Sequence, residues 1–462
     1  MFEAIDAQRQ RKRNAPCPNA IARMAMLDGE VNDVIPSNLL FFIQDRAPFG
    51  NADRRDAATC LLKRHAPKRN LIPVDTTRGW LEIDLDALTH NLSVVRERAE
   101  GAAILLVAKA DAYGHGAIPV AHHALRAGVD AIGVSTAGEA LELRRAGIRG
   151  RLVLLGVLFG EQAMPAIEHD VEIALPSIAI AEQLEEAGRR LARPVPVHLK
   201  IDTGMNRLGV RPEDALFVLR KIRSSPWLRL AGLMTHMAPS LGAVARAGKK
   251  QLLRFEQTLA AARAAGLLEG DDLWIHAANS ATVLAGGAPR YDAVRVGAAA
   301  YGVSPDMKLD TRDLRPCMAL RSKIAHLSEV EEGSEVGYGG SWSTRRPSRL
   351  AVVPLGYGDG IDWRLSNRGC VLVRGQRAPI VGRVSMDLTT IDVTLIPGVA
   401  LGDEVTFFGR DGDRQLRLEE IASTIGSIPY ELLCSIGRRV ERVYGGGVSA
   451  SHPSPARAIT AP

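Results

Sequence analysis

Ile104-Leu105-Leu106-Val107-Ala108-Lys109-Ala110-Asp111-Ala112-Tyr113-Gly114-His115-Gly116 opens with five apolar residues and stops at a lysine. Five residues without a polar face read as a strand covered on both sides of a parallel sheet. Seven more short apolar runs follow, mostly separated by helical patterns: Ala131–Val134, Leu152–Leu155, Val171–Leu175, Val197–Ile201, Leu230–Met234, Leu273–Ile275 and Ala293–Val296. The helix ahead of the seventh run shows its stripe as Leu252, Phe255, Leu259 and Ala262. Eight such units over about 200 residues predict an α/β fold, a TIM-type (β/α)8 barrel. A doubly wound sheet would place a Gly-rich phosphate turn after its first strand. Here the first run meets Lys109, and no GxGxxG follows.

Outward from the barrel the pattern changes twice. Trp80–Leu85 alternates like a strand, and Asp86 is placed to cap a helix carrying Leu85, Leu88, Leu92 and Val95 on one face. Beyond Leu314, Val- and Ile-rich segments (Ser348–Pro354, Cys370–Arg374, Ala378–Val384, Glu404–Phe408) are broken by turn residues, as in an all-β domain. The expected organisation is a poorly ordered N-terminal extension at 1–77, the barrel at 78–316, a C-terminal β domain at 317–447 and a flexible tail at 448–462. In the extension, the basic stretch Arg9–Arg13 leads into Asn14-Ala15-Pro16-Cys17-Pro18 rather than an apolar core, so it is not read as a secretory signal.

Composition narrows the function. Hydrophobic residues make up 46% of the 462 and charged residues 24%, a globular mix that excludes wholesale disorder. A net charge of +6 over this length is too weak to argue for nucleic acid. No apolar run reaches the roughly 20 residues that span a bilayer. The five cysteines are scattered with no CxxC, which suits a reducing, cytoplasmic compartment and gives no metal site.

A barrel collects its chemistry where the strands end. Lys109 ends the first run, the fifth carries Lys200, and His236, Asn279-Ser280 and Arg295-Val296-Gly297 come from the last three. By position alone Lys109 is as easily a lysine reaching into water. Its functional reading is an amine whose charge is disfavoured by partial desolvation, fit for a Schiff base. Ser280 with the backbone near Gly297 would cradle a phosphate, although Asn279-Ser280 also reads as an ordinary helix cap. A Schiff-base lysine beside a phosphate cradle suggests pyridoxal 5′-phosphate.

The whole set resembles the alanine racemases. Val107-Ala108-Lys109-Ala110-Asp111-Ala112-Tyr113-Gly114-His115-Gly116 is similar to their cofactor-lysine motif. Asp202–Gly209, His276–Ser280, Val294–Gly297, Gly337-Tyr338-Gly339, Gly356–Gly360, Val384–Asp387 and Pro429-Tyr430-Glu431 follow in family order from Trp80 to Tyr444. The resemblance implies a homodimeric enzyme that interconverts L- and D-alanine for peptidoglycan through a two-base mechanism. It implies that Lys109 bonds the cofactor and works one face, while Tyr338 works the other from the partner subunit. Arg295 would face the pyridine nitrogen and, being always protonated, keep that nitrogen unprotonated. His236 would join Arg295 in lowering the barrier to using a phenol as base. Tyr113, Asn279, Ser280, Gly297, Ala298 and Tyr430 would hold the cofactor. Arg207, Met386 and Tyr357 would meet the substrate. Lys200 matches a lysine that many members carry as a carbamate. Ser385 stands where some relatives have Cys. A serine or broad-spectrum racemase of the same architecture, a non-catalytic pyridoxal-phosphate carrier and a phosphosugar-binding barrel are the alternatives.

Overall fold

Among the described residues of the computed structural model, the first regular element is strand β1 (Gly79–Asp84), followed by helix α1 (Leu85–Arg98). The structure describes residues 78–446 apart from 239–242, 270–271, 287–290, 305–308 and 310. The expected N-terminal extension and tail therefore lie outside the described residues. The helix cap is Asp84 rather than Asp86: its carboxylate accepts from the Ala87 amide at 2.8 Å.

Eight parallel strands then close a barrel: β2 (Ala103–Val107), β3 (Ala131–Val134), β4 (Arg151–Leu154), β5 (Glu172–Leu175), β6 (Val195–Lys200), β7 (Leu228–Met234), β8 (Trp274–Asn279) and β9 (Ala293–Val296). Each pairs with the next, and β2 closes on β9 with Ala103 opposite Ala293 and Leu106 opposite Val296. Every predicted run is a strand within two residues of its expected ends, except that β8 continues four residues past Ile275 to Asn279. Helices α2 (Ala117–Arg126), α3 (Ala137–Arg145), α4 (Ala163–Glu168), α5 (Ile178–Leu191), α6 (Ala215–Ser224), α7 (Ala243–Ala264) and α8 (Ser280–Leu284) fill the connections. The stripe on α7 is real: Phe255, Leu259 and Ala262 are fully buried.

β1 lies in the segment assigned by sequence to the barrel, yet it is not a barrel strand. It pairs antiparallel with β10 (Met318–Lys323) and parallel with β20 (Glu441–Gly445). Its alternation, Leu81 and Ile83 buried and Trp80 and Glu82 half-buried, is that of a sheet with one covered face. The β-rich domain is built on this seven-stranded sheet, with smaller sheets of three and two strands. It is not wholly β. Helices α9 (Leu418–Ile425) and α10 (Pro429–Ser435) interrupt it. Their signals were short: Leu418, Ile421, Ala422 and Ile425 form one buried stripe, and Pro429 opens α10, where its missing N–H costs nothing. No helix among the described residues is long and apolar enough to cross a membrane.

Candidate active site

Lys109 follows β2 and opens a backbone turn of the wrong hand. Ala110, Asp111, Ala112 and Tyr113 all have φ between 51° and 55°. A left-handed turn costs L-residues roughly 1–2 kcal/mol each, so the surroundings must hold it. Glu139 of α3 accepts from the Ala110 amide at 2.8 Å, and Asp111 accepts from the Ala117 amide at 2.6 Å. His115 Nδ1 lies 2.9 Å and 3.1 Å from the Ala112 and Tyr113 carbonyls. From β20, Arg442 donates to the Gly114 carbonyl and Tyr444 to that of His115, both at 3.1 Å. The β domain thus fastens the turn that displays Lys109. The residue itself is exposed toward the cavity, so the partial desolvation expected of it is not what distinguishes it.

A cavity of about 710 Å³ opens at the strands' C-terminal ends. Its lining includes Lys109, Tyr113, Lys200, Arg207, His236, Asn279, Ser280, Arg295, Gly297, Ala298 and Tyr430. Eleven of the fourteen residues singled out by sequence meet there. On one side Ser280 Oγ accepts from the Gly297 and Ala299 amides at 3.0 Å and 3.3 Å. The Tyr113 hydroxyl lies over Gly297, where an added Cβ would come within 2.6 Å of it. Glycine is needed there for that close approach. Burial, and then the neighbouring Cys434 and Tyr430, pushes the Tyr113 phenol up to about 12, so it is a hydrogen-bond donor. Asn279 caps α8 and also donates to the Met237 carbonyl at 2.8 Å, so the helix-cap reading of this residue holds as well.

On the other side the cavity is cationic. Lys109, Lys200, Arg207 and Arg295 line it against one carboxylate, Glu431, among the described lining residues. Asp202 shapes the loop that presents Arg207, accepting from the amides of Gly204, Asn206 and Arg207 at 2.8–3.0 Å. Lys200 is only 6% exposed. Burial, then Arg295 and Arg207, brings its ammonium down to about 8, against a smaller opposing pull from Asp202. His236 is pushed down to about 3 by burial and the four cations, so it is neutral at ordinary pH. Buried Arg295 donates to the carbonyls of His276 (2.8 Å), Thr235 (2.6 Å) and Ala277 (3.1 Å), and faces His276 Nδ1 at 3.1 Å and His236 Nδ1 at 3.4 Å. Its acceptors among the described residues are carbonyls and imidazoles. Burial alone brings the guanidinium to about 10, still charged.

Beneath Arg295 lie groups the sequence reading did not single out as site residues. His276 Nε2 is 2.9 Å from His198 Nδ1, and His198 Nε2 is 2.6 Å from Glu172 Oε2. Arg151 pairs with Glu172 at 2.8 Å and stacks over the Trp274 ring. His276 fell inside a quoted motif, but His198 and Glu172 sit within apolar strand runs where only a polar residue at an inward position would have signalled them.

Tyr338, Tyr357 and Met386 are not brought to this cavity. They are 72%, 46% and 54% exposed on the β domain. The segment Arg383–Met386 links them. Its Arg383 lies against Gly337 and Gly339, and Ser385 and Met386 pack on Gly356 and accept from the amides of Tyr357 and Gly358.

Comparison with known proteins gives the same division. The alanine racemase N-terminal domain matches residues 83–305, and the alanine racemase C-terminal domain matches residues 317–444. The chain belongs to the alanine racemase family. An alanine racemase of Syntrophobacter fumaroxidans is 43% identical over 377 residues, covering 81% of this chain and 99% of the relative. A family structure from Streptomyces lavendulae aligns with a TM-score of 0.75 at 35% identity, covering 80% of this chain and 98% of its own. Another, from Bartonella henselae, aligns at 0.70 and 27% identity over 79% and 99%, and contains covalently bound pyridoxal phosphate. As in the family, the barrel of this chain precedes the β-rich domain.

Proposed function

We propose that this chain interconverts L-alanine and D-alanine with pyridoxal 5′-phosphate, as a homodimer whose sites combine residues of both subunits. The supporting observation is the split just described: a cavity holding Lys109, Arg295 and the Tyr113–Ser280–Gly297 cradle, and a separate exposed patch holding Tyr338, Tyr357 and Met386.

The cavity fits the cofactor. It offers an accessible amine in Lys109, a buried cation in Arg295, and a Cβ-free cradle with two hydroxyls suited to a phosphate. Tyr430 and the Asn279 and Ala298 backbone complete the holding set. When bound, pyridoxal phosphate supplies an electron-withdrawing ring that acidifies the α-hydrogen of an attached amino acid. Arg295 keeps its own proton and would give the ring nitrogen no proton to take, so the ring would withdraw electrons less strongly and return of the proton to Cα would be favoured. Lys109 Nζ exchanges the α-proton on one face, and the phenol oxygen of the partner subunit's Tyr338 exchanges it on the other. One proton leaves Cα and one returns, so nothing is oxidised or reduced. Neutral His236, whose Nδ1 faces the donating Arg295, carries its proton on Nε2 and offers that N–H as a donor toward the phenol oxygen. Arg207 and the Met386 backbone N–H bind the substrate carboxylate, while Tyr357 and Tyr430 narrow the mouth.

Lys200 is read as a carbamate. An ammonium lowered to about 8 leaves a useful neutral fraction, which adds carbon dioxide and releases one proton. Repulsion between Lys200 and Arg207 then becomes attraction. Lys200→Ala should lose activity that acetate restores; full activity without acetate, or loss that acetate leaves unchanged, contradicts the carbamate.

The reading places the protein in the cytoplasm, supplying D-alanine for peptidoglycan; free Cys317, Cys370 and Cys434 suit a reducing compartment. Its test is a borohydride-sensitive absorbance of the purified protein together with racemisation of alanine. Parallel assays with serine and lysine separate strict from broad specificity.

A further inference from the structure

The barrel interior is divided. On β2, β3 and β4 the inward side chains Leu105, Val107, Ala131 and Val153 form a dry cluster, the filling expected of such a barrel. On β5, β6, β8 and β9 the corresponding space holds Glu172, His198, His276 and Arg295, with Arg151 of β4 closing the line. His198 and His276 are fully buried and Arg295 nearly so. Buried ionic groups are costly, and replacing them with well-packed apolar side chains is often neutral or stabilising. Packing alone does not account for this half of the barrel.

Hydrogen-bond direction settles the protonation of the chain. Arginine can only donate, so His276 Nδ1 must accept from Arg295. His276 Nε2 then carries the proton and donates to His198 Nδ1. His198 Nε2 therefore carries its own proton and donates to Glu172. Any other assignment, including a charged imidazole at either position, points two protons at each other. Burial favours the same neutral forms. Burial pushes Glu172 up, but the His198 bond and the Arg151 charge outweigh it and hold the carboxyl below its ordinary range.

We infer that Glu172, acting through His198 and His276, is the positioning carboxylate of Arg295: it accepts at the end of the line whose tautomers Arg295 requires, holds both rings in place and thereby aims the guanidinium. The inference rests on the reading that Arg295 faces the cofactor ring. A carboxylate in contact with Arg295 would spend the guanidinium's charge on an ion pair. Two neutral imidazoles in between let the carboxylate set direction while the positive charge stays at the cavity.

Two variants and one spectroscopic measurement test this. Glu172→Gln keeps the shape and removes the charge. His276→Asn keeps an acceptor facing Arg295, in the place of Nδ1, and cuts the link to His198. Both should lower kcat by about 10-fold and change KM for alanine less than twofold, because Arg207 is untouched, and both should shift the absorbance of the bound cofactor. Nitrogen NMR of histidine-labelled apoprotein should show His198 and His276 as neutral Nε2–H tautomers in the wild type, with the His198 Nε2 resonance shifted in Glu172→Gln. Nδ1–H or charged rings in the wild-type apoprotein would overturn the inference, whatever the cofactor. So would a Glu172→Gln or His276→Asn enzyme with wild-type kcat and absorbance. If either variant fails to fold, the wild-type NMR result decides alone. Wild-type protein that binds no cofactor would instead defeat the reading of the site.

Discussion

The barrel mouth holds eleven of the fourteen predicted site residues and the outer face of the β domain three, in very different states. At the mouth Arg295 is tied down by three carbonyls, Ser280 by two amides, and the Lys109 turn by Glu139, His115 and Arg442. On the β domain, Tyr338, Tyr357 and Met386 stand exposed beside Trp363 and Leu388, which are also exposed. Exposed clusters of large apolar side chains on a folded domain mark contact surfaces. On the proposed reading, one chain preorganises the cationic part of the site by itself and carries the remainder on an exposed surface that a partner subunit would complete.

Removing the mouth's amine should have the largest effect. Lys109→Ala is expected to lose about 10⁴-fold in kcat together with the borohydride-sensitive absorbance. Tyr338→Phe should lose about 10³-fold in kcat yet keep that absorbance, because it alters only the exposed face. An intact rate in this variant contradicts the two-base assignment. Mixing the two inactive proteins sharpens the comparison further. Random exchange of subunits in a C2 dimer leaves about one quarter of the sites with both native groups, so about that share of wild-type activity should return. No recovery after verified exchange would place both bases in one subunit. Gly297→Val fills the space under the Tyr113 hydroxyl and should weaken cofactor affinity about 10-fold, measured by reconstituting apoprotein, with the face unaffected.

The smallest expected effect is on stability. Burial holds the His115 imidazole down to about 4, from 6.5. Between those values the unfolded chain takes up a proton that the folded one refuses. Stability contributed by neutral His115 is therefore full above pH 6.5 and declines as pH falls toward 4. Tm should drop across that window, and drop less in His115→Asn, which keeps a donor for the turn but no titrating ring. Equal slopes would show that His115 does not titrate with unfolding.

The strands were legible because a barrel buries both faces of each one, leaving continuous apolar runs such as Ile104–Ala108 and Val197–Ile201. Lys109 and Ser280 were legible because they follow such runs, and Arg295 because its run leads directly into Gly297. Glu172 and His198 were hidden for the converse reason: polar residues inside an apolar run look like accidents until the barrel closes and aligns them. α9 and α10 were missed because eight and seven residues give a helical period little room to show itself.

By itself the sequence determined the eight-stranded barrel, the order of its strands and the residue types at its rim, since burial pattern and chain order are local properties. Only the tertiary structure decided that β1 leaves the barrel for the sheet of the β domain, that β20 fastens the left-handed turn behind Lys109, and that Arg295 stands at the head of a line of imidazoles ending on Glu172. Those are pairings between segments far apart in the chain, and long-range register is set by the closure of the fold and not by any one stretch of it.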